Sequence, residues 1–467
     1  PPILRPTRFL HDLTGSQQQP VIVWLKLMGL WNLNEEPIRN ACDVPNAVII
    51  TGPAGTGKSY ILDCIVSETI QRYKQKNPSI DNAQILVMAP TGRAAIGAKG
   101  VTLHSKEGLS LPTTNISSKE KNSLNSFSLA RFQQKMKNVI GILVDEFSMI
   151  HQTNFAWIDI RLREAFPEKS DLPFAGCPIA FCGDPGQIPP VGGLSMWCNQ
   201  TSKGGPLHGL AKYGHDLWMG IKTVIKLTQP VRQTNNTEEG KWFGEMLLRF
   251  RDGQCTNTDW ERLNQKCAQQ NIPQARIDAF NSPSTIWLFN TNKDNSNHNK
   301  KMISILNQPI LRINARHDQS SKSKEKSSSF TRNLHPFIYV AKGAKVMLWW
   351  NINSSVGLVN GSTGIVIDWI YEQGKKPPDL PAAIIIQFDD YNGPPFFSDP
   401  LRSQWVPILP EKYQWSSNSL EEDNHFREQF PISLAWGLTV WKSQGMTIKS
   451  PLAYDLGKSE PEAGLTY

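Results

Sequence analysis

Residues 47–59 read AVIITGPAGTGKS, an apolar run followed by a glycine-rich loop that ends in Lys-Ser. From Gly52 to Ser59 the loop fits the pattern G-x-x-x-x-G-K-[ST]. The run before the loop has the composition of a strand, and the stretch after it carries apolar residues at helical spacing. Because the pattern requires a strand-loop-helix setting, these residues predict an α/β domain with a site for a nucleoside triphosphate.

The loop supplies most of the predicted nucleotide-binding residues. They are Gly52, Gly55, Thr56, Gly57, Lys58 and Ser59. The glycines allow backbone amides to turn inward around phosphate oxygens. Lys58 can reach the β and γ phosphates, and the Ser59 hydroxyl can ligate Mg²⁺. The alternative interpretation is a plain glycine-rich turn.

Two further apolar runs end in polar residues suited to phosphate chemistry. Residues 139–144 are followed by Asp145, which would hold Mg²⁺, and by Glu146, which would orient and deprotonate the attacking water. The alternative is that both acidic residues cap the following helix. Residues 178–182 are followed by Gln187, whose side chain could contact the γ-phosphate and report its loss.

Four short β-rich runs alternate with helix-like stretches in the first half of the chain. They are residues 47–51, 84–89, 139–144 and 178–182. Continuous apolar strands separated by helices are typical of a parallel sheet that is covered on both faces. A polar segment at about 106–138 interrupts the alternation and predicts a small inserted subdomain. A second α/β region is expected from near Lys222, with strands at 224–227 and 285–289.

The pattern changes between residues 345 and 409, where strand-like segments follow one another without helices. Turns such as Asn360-Gly361 separate them, which predicts a small β-barrel inserted in the second half. The low-complexity residues 318–329, DQSSKSKEKSSS, predict a flexible loop. The expected division is a first domain at 1–220, a second at 221–339 with 431–467, and an inserted barrel at 340–430.

Composition limits the class of protein. The chain has 467 residues, enough for about three domains, and a formal net charge of +8 that favours a polyanionic partner. No apolar run approaches the roughly 18 residues that a membrane span needs, and the start does not resemble a signal peptide. Seven cysteines without a C-x-x-C pair favour reduced thiols in an intracellular protein over a disulfide framework or a zinc site. Because the chain starts at Pro1 and stops at Tyr467, we expect an excised fragment.

Tryptophan is concentrated in the second half of the chain. Seven of the fifteen tryptophans are Trp349, Trp350, Trp369, Trp405, Trp415, Trp436 and Trp441. One interpretation places them in the core of the barrel, and the other has one or two of them stack on unpaired bases. The sequence leaves both open.

Eight segments occur in a fixed order along the chain. They are GPAGTGKS (52–59), APTGRAA (89–95), TLHS (102–105), VDEFSM (144–149), GDPGQIPPV (183–191), VRQ (231–233), LVNGSTGIV (358–366) and LAWGLTVWKSQGMT (434–447). This series resembles the superfamily-one helicases and, among them, the Pif (petite integration frequency) family of B-type DNA helicases. The resemblance extends from about residue 13 to residue 467.

The resemblance implies a fold and an activity. The expected protein is an ATP- and Mg²⁺-dependent DNA helicase in which two RecA-like domains clamp ATP and drive 5′-to-3′ movement along single-stranded DNA. The segment 106–138 would separate strands, and the barrel would be of the Src-homology-three (SH3) type. The implied partners are single-stranded DNA and forked or tailed duplexes, bound by a monomeric motor. The implied processes are DNA repair, recombination and replication, in the nucleus or mitochondrion if the source is eukaryotic.

The resemblance also implies site residues beyond the phosphate loop. Gln17 would read adenine, Gly445 would lie at the nucleotide, and Arg232 would be an arginine finger, the alternative being a surface arginine in a loop. The implied DNA-binding residues are Thr91, Arg93, His104, Ser105, Thr439, Lys442, Ser443 and Gln444. Two features depart from the family. Trp441 stands where the family usually has His, and the sequence stops before a motif with a second phosphate-contacting arginine.

Two other functions fit parts of the same pattern. A RecD-like or conjugative-relaxase helicase module shares the superfamily, although GDPGQIPPV together with LVNGSTGIV is more similar to the Pif family. A non-motor, such as an ATP-gated nucleic-acid clamp, would share the phosphate loop without unwinding DNA.

Overall fold

The computed structural model describes most of the chain. The described residues are 7–13, 15–32, 44–53, 55–112, 124–228, 237–265, 273–318, 326–328, 330–416, 424–444, 446, 448 and 450–457. They fall into two compact units, an N-terminal unit within Ile3–Cys267 and a C-terminal unit within Ala268–Glu460. Two of the expected site residues, Arg232 and Gly445, lie outside the described residues. So do residues 113–123 of the expected inserted subdomain and most of the low-complexity segment.

The N-terminal unit is built on a six-stranded sheet. Its strands are β1 (Ala47–Thr51), β2 (Gln84–Ala89), β3 (Val101–Thr102), β4 (Val139–Val144), β5 (Ile179–Gly183) and β6 (Val224–Lys226). They pair in the order β3-β2-β4-β5-β1-β6, and every pair is parallel. Because parallel strands end at the same edge, the loops after β1, β2, β4 and β5 all leave from one side of this sheet.

Helices pack on both faces of this sheet. The described helices of the N-terminal unit are α1 (Gln18–Leu27), α2 (Lys58–Lys76), α3 (Gly92–Gly97), α4 (Ser126–Met136), α5 (Gln152–Ala165), α6 (Gly209–Met219), α7 (Glu238–Arg251) and α8 (Asn257–Asn264). Successive residues of β1 point to opposite faces, so Ile49 joins the core that contains Phe155 of α5, whereas Ile50 joins the core that contains Trp24 and Leu62. The predicted parallel sheet with two covered faces is confirmed.

Strand β6 corrects the expected start of the second α/β region. Val224–Lys226 forms a strand, but it pairs in parallel with β1 and therefore belongs to the first sheet. The expectation that a second region begins near Lys222 is wrong for this strand. Its partner lies far away in the sequence, and a three-residue run does not reveal which sheet it joins.

The described part of the 106–138 segment contains a helix. Helix α4 buries Phe132 and Met136, which are four residues apart and lie on one helical face. Both pack in the same core as Trp157 of α5. Because the segment is polar overall, its composition did not predict this short amphipathic helix.

The C-terminal unit contains a second parallel sheet. Its three strands are β7 (Ile286–Phe289), β18 (Gly437–Thr439) and β19 (Leu452–Asp455), with β7 in the centre. The helices of this unit are α9 (Gln274–Asn281), α10 (Asn292–Ile305) and α11 (Val440–Ser443). Asn299 of α10 binds both backbone groups of Gly437, at 2.8 and 3.0 Å, which fixes β18 on the helix.

The other strands of the C-terminal unit are antiparallel. They are β8 (Leu311–Asn314), β9 (Arg316–His317), β10 (Phe337–Val340), β11 (Lys345–Leu348), β12 (Thr363–Ile370), β13 (Ala383–Phe388), β14 (Trp405–Ile408), β15 (Glu411–Ser416), β16 (Asn424–Gln429) and β17 (Ile432–Leu434). Five of them form one sheet in the order β14-β13-β12-β11-β17. Strands β15-β16-β9 form another, and β10 pairs with β8. The expected helix-free strand segments between 345 and 409 are therefore present.

The tryptophans of this unit differ in burial. Trp436 is buried in the core that also contains Val346 and Ile386. Trp369 packs against that core while staying partly exposed. The remaining five are half-buried, so neither of the two interpretations covers the whole set.

Candidate functional site

The phosphate loop has the backbone conformation that its glycines permit. Gly55 and Gly57 both have φ of +84°, in the left-handed region, and helix α2 begins at the next residue. A Cβ atom at Gly57 would lie 2.6 Å from Nε2 of Gln17. The left-handed conformation therefore favours glycine at this position, and a larger residue would also displace the Gln17 amide.

The ammonium group of Lys58 lies at the mouth of this loop. Its Nζ donates to the carbonyl oxygens of Gly52 at 2.7 Å and Pro53 at 3.0 Å, and the side chain is buried. Thr56 Oγ1 donates to the same Pro53 oxygen at 2.9 Å, which tightens the turn. Ser59 is exposed in the first turn of α2. The loop thus carries a buried ammonium group at Lys58 and an exposed hydroxyl at Ser59.

Gln17 is the member of the Gln17-Gln18-Gln19 run that contacts the loop. It is buried, and its Nε2 donates to the carbonyl oxygen of Thr56 at 3.1 Å. Gln18 instead donates to the carbonyl oxygens of Leu10 and Leu13. The structure therefore distinguishes Gln17 from its neighbours, which the sequence does not.

The two acidic residues after β4 are held by backbone contacts. Asp145 donates its backbone N–H to Met88 O at 2.8 Å, and its Oδ1 accepts from the N–H of Glu146 at 2.9 Å. Glu146 has φ of 54° and ψ of 47°, a left-handed conformation that costs roughly 1–3 kcal/mol in a non-glycine residue. It precedes a short 3₁₀ turn, Phe147–Met149, but makes no side-chain capping bond to it. This disfavours the capping alternative for Glu146.

The loop after β5 packs against the turn after β4. A Cβ atom at Gly183 would lie 2.9 Å from the backbone nitrogen of Phe147, so only glycine fits there. The carbonyl oxygen of Asp184 accepts from the N–H of Gln187 at 3.1 Å. The Oε1 atom of Gln187 is buried and has no hydrogen-bond partner among the residues that the structure describes.

An ion pair that the sequence did not suggest supports this loop. Arg251, at the end of α7, donates from Nε to Asp184 Oδ1 at 3.1 Å, and its Nη2 lies 3.0 Å from the same oxygen. Asp184 is 0% exposed and Arg251 is 22% exposed. No local pattern marks Arg251, because its partner is 67 residues away.

Leu227, the residue after β6, packs against the start of the phosphate loop. It donates its N–H to Thr51 O at 2.7 Å, and a Cβ atom at Gly52 would lie 2.7 Å from Leu227 Cβ. Glycine at position 52 therefore allows this close approach.

These residues fit a magnesium nucleotide. The Ser59 hydroxyl and the Asp145 carboxylate are oxygen ligands, which Mg²⁺ prefers. Thr51 Oγ1, like Gln187 Oε1, is a buried acceptor without a partner in the described part of the chain. Both lie where β1 and β5 end, next to the phosphate loop. Polar atoms of this kind need a ligand or water to satisfy them.

Four candidate DNA-binding residues lie along the same edge of the sheet. Thr91 caps α3 by accepting from the N–H of Ala94 at 3.2 Å, with Arg93 in the first turn. His104 and Ser105 follow β3, and the Ser105 Oγ donates to Thr102 O at 2.8 Å. Strand β3 is four strand spacings from β1, or about 19 Å. These residues are therefore set apart from the phosphate loop.

The other candidate DNA-binding residues follow strand β18 in the C-terminal unit. Thr439 ends that strand, and Lys442 and Ser443 lie in α11. Lys442 Nζ lies 4.0 Å from the centroid of the Trp349 ring. The Ser443 hydroxyl is occupied within its own helix, while both amide atoms of Gln444 are buried without a partner among the described residues.

Lys442 is held by residues that the sequence analysis did not connect with it. Its Nζ donates to Asn360 Oδ1 at 3.2 Å, within the LVNG turn that precedes β12. Burial lowers the pKa of Lys442 to about 8. In the N-terminal unit, burial likewise lowers the pKa of His104, so its ring favours the neutral form at neutral pH.

Two family models match the chain. One, described as PIF1-like helicase, matches residues 38–261, and the other, described as the 2B domain of DNA helicase Pif1, matches residues 340–369. These ranges include the phosphate loop, the acidic pair after β4 and the strands β11 and β12.

Individual relatives agree with the family models. ATP-dependent DNA helicase PIF1 of Xenopus laevis is 27% identical over 414 residues, which cover 86% of this chain and 53% of the relative. ATP-dependent DNA helicase Pif1 of Campylobacter jejuni is 27% identical over 419 residues, covering 86% of this chain and 81% of the relative. The chain therefore spans about half the length of the Xenopus protein.

Solved structures share the fold. Bacteroides Pif1 bound to single-stranded DNA superposes with a TM-score of 0.65 at 22% identity, covering 97% of this chain and 88% of the other. The order of the motifs, the two family-model matches and the shared fold lead to one conclusion. The chain belongs to the PIF1-like helicase family.

Proposed function

We propose that the protein is an ATP- and Mg²⁺-dependent DNA helicase that moves along single-stranded DNA and unwinds duplexes. The observation that carries this proposal is the convergence of Lys58, the Asp145-Glu146 pair and Gln187 at one edge of a parallel sheet. An edge of this kind is where ligands bind in open α/β sheets. The relatives named ATP-dependent DNA helicases support the assignment of the reaction.

In the proposed mechanism, the phosphate loop binds the triphosphate and its metal ion. Lys58 would exchange its carbonyl partners for the β and γ phosphates, and Ser59 and Asp145 would provide oxygen ligands for Mg²⁺. When bound, the ion would supply positive charge that offsets the charge of the phosphates. Gln17, which donates to the Thr56 carbonyl oxygen of the loop, would read the adenine ring.

Hydrolysis needs a base and a means of stabilising the transferred phosphoryl group. Glu146 would orient the attacking water and accept its proton. The strained backbone conformation of Glu146 would help by fixing the direction of its carboxylate. Gln187 would contact the γ-phosphate. Arg232 would neutralise charge that develops there, as the resemblance to the family implies.

DNA would be held by both units through mainly phosphate and sugar contacts. Thr91, Arg93, His104 and Ser105 would provide them in the N-terminal unit. Thr439, Lys442, Ser443 and Gln444 would provide them in the C-terminal unit. Contacts of this type give little sequence preference. The single-stranded DNA bound by Bacteroides Pif1 supports this partner, and the 5′-to-3′ direction follows from the family resemblance.

The proposal includes roles for the domains. The two parallel sheets would be the cores of two RecA-like domains. Residues 106–138 would form the strand-separating subdomain, and residues 340–430 would form an SH3-like barrel. The five-stranded antiparallel sheet and the match of residues 340–369 to a 2B domain support the barrel assignment.

The deciding experiment is strand displacement on duplexes that carry either a 5′ or a 3′ single-stranded tail. We expect ATP-dependent unwinding of the 5′-tailed duplex alone. Lys58→Ala should abolish hydrolysis, whereas Glu146→Gln should keep ATP binding and lower turnover by about 10²- to 10⁴-fold. Glu168→Gln is a matched control, because Glu168 is exposed and distant in the fold from the loop.

One result would reject this function. DNA-stimulated hydrolysis without displacement of either duplex would indicate a nucleic-acid clamp. Wild-type turnover in Glu146→Gln would reject only the assignment of Glu146 as the base.

A further inference from the structure

The ion pair between Arg251 and Asp184 joins the end of α7 to the loop that follows β5. The Asp184 carboxylate is fully buried, and its Oδ1 receives both the Nε and the Nη2 of Arg251, at 3.1 and 3.0 Å. A buried carboxylate is costly unless a cation or hydrogen bonds compensate it. Arg251 therefore compensates part of the cost of burying the Asp184 carboxylate.

Asp184 in turn fixes the turn that leads to Gln187. Its Oδ1 accepts from the N–H of Gly186 at 3.0 Å, and its carbonyl oxygen accepts from the N–H of Gln187 at 3.1 Å. The stem of Arg251 covers this turn, because a Cβ atom at Gly186 would lie 3.0 Å from both Cγ and Nε of the arginine. Arg251 thus holds the turn at residues 184–187 in two ways, through its ion pair with Asp184 and through the packing of its side chain on Gly186.

We propose that Arg251 is a positioning residue for ATP hydrolysis, acting through Asp184 to hold Gln187 at the γ-phosphate. This inference rests on the proposed function. An interaction that matters as the phosphoryl group is transferred affects turnover more than nucleotide affinity. Loss of Arg251 should therefore lower kcat for DNA-stimulated hydrolysis and leave the KM for ATP nearly unchanged.

The test compares Arg251→Gln with Arg249→Gln. Arg249 is a matched control, since it lies on the same helix and also pairs with a buried carboxylate, Asp259, at 2.6 Å. Arg251→Gln should reduce kcat by about 10- to 100-fold, the effect of a displacement of about 1 Å in a catalytic group. Arg249→Gln should lower the melting temperature and keep the wild-type kcat, measured below the onset of unfolding for every variant.

A double-mutant cycle separates positioning from a general structural effect. If Arg251 acts through Gln187, Arg251→Gln should cost little in a Gln187→Ala background. Wild-type kcat in Arg251→Gln, an equal loss in Arg249→Gln, or independent losses in the double mutant would each overturn the inference. So would a Gln187→Ala variant with unchanged kcat. These results leave the helicase assignment intact, whereas a wild-type chain that hydrolyses no ATP overturns both.

Discussion

Among the candidate DNA contacts, Lys442 is a lysine whose ammonium group is partly buried beside an aromatic ring and an amide. Its ammonium lies 4.0 Å from the Trp349 ring centroid and donates to Asn360 Oδ1 at 3.2 Å. Because burial lowers its pKa to about 8, the charge of Lys442 changes just above neutral pH. A phosphate contact made by this lysine should therefore depend on pH in a range where ordinary lysines stay protonated.

Affinity for single-stranded DNA should fall as the pH rises from 7 to 9. Below about 8 Lys442 carries its charge and attracts phosphate, and above about 8 it is neutral and the attraction is lost. One charge-assisted hydrogen bond contributes about 1.5–3 kcal/mol, so we expect a decrease of about tenfold or more. Fluorescence anisotropy with a labelled oligonucleotide at constant ionic strength measures it.

Lys442→Arg is the control for this pH dependence, because arginine stays protonated at pH 9. The variant should bind with nearly constant affinity across the range. Burial also lowers the pKa of Lys135 to about 8, so the difference between the wild type and Lys442→Arg isolates Lys442. Parallel pH curves for the two proteins would exclude Lys442 as the titrating contact.

The residues of the site differ in how far the sequence could reveal them. Lys58 and Glu146 stand in short local patterns, since a phosphate loop and a strand end each need only a few consecutive residues. Arg251 has no such pattern, because its partner is 67 residues away and only folding brings the two together. Trp349 was singled out as one of a cluster, but its contact with Lys442 depends on the fold of the C-terminal unit.

At the scale of elements, Asp159 connects three parts of the N-terminal unit. From α5 its carboxylate accepts hydrogen bonds from the N–H of Phe174 at 2.6 Å, Arg163 Nε at 2.6 Å and the Tyr213 hydroxyl of α6 at 2.5 Å. Burial and the bond to Asp159 raise the pKa of Tyr213 to about 12. Asp159 is fully buried, so these hydrogen bonds replace the ones that water would make to its carboxylate.

Asp159→Asn should destabilise the protein strongly. The substitution removes the charged partner of the Arg163 guanidinium, which is 27% exposed, and weakens the hydrogen bonds from Phe174 and Tyr213, at a cost of about 1.5–3 kcal/mol. Asp216→Asn is the matched control on α6, where an exposed pair with Lys212 at 2.8 Å contributes about 0.2–1 kcal/mol. Urea unfolding followed by circular dichroism gives both values. Equal losses in the two variants would show that Asp159 does not join these elements.

Long apolar strands were predictable and short ones were not assigned correctly. The run 139–144 coincides with β4, because a central parallel strand is apolar on both faces. In β6, by contrast, only Ile225 of three residues is buried, and its partner β1 lies far away in sequence. Helix α4 was missed because only Phe132 and Met136 mark its buried face within a polar segment.

At the scale of the whole molecule, the chain forms two compact units, and the N-terminal one extends to Cys267. Two long-range contacts connect residues 224–251 to the rest of this unit, since β6 pairs with β1 and Arg251 of α7 pairs with Asp184. The expected division into domains at 1–220, at 221–339 with 431–467, and at 340–430 stays a prediction. The described cysteines 64, 177, 182, 198 and 255 are free thiols. None of the described helices is long and apolar enough to cross a bilayer.

The net charge of +8 and the DNA contacts proposed for both units lead to a prediction about salt. Each phosphate that a lysine or arginine neutralises releases counterions, so the logarithm of the affinity for single-stranded DNA should fall linearly with the logarithm of the salt concentration, by about 0.7 per contact. At pH 7 Lys442 is mainly protonated and should account for one of these contacts. Lys442→Ala should therefore make the slope shallower by about 0.7–1, for oligonucleotides of any sequence.

Lys212→Ala is the control for this change in slope. It removes the same charge from an exposed lysine that is already paired with Asp216, and it should leave the slope unchanged. Titrations at four or more salt concentrations determine the slopes. An affinity indifferent to salt, or equal changes in the two variants, would contradict a specific phosphate contact at Lys442 and attribute binding to the general charge of the surface.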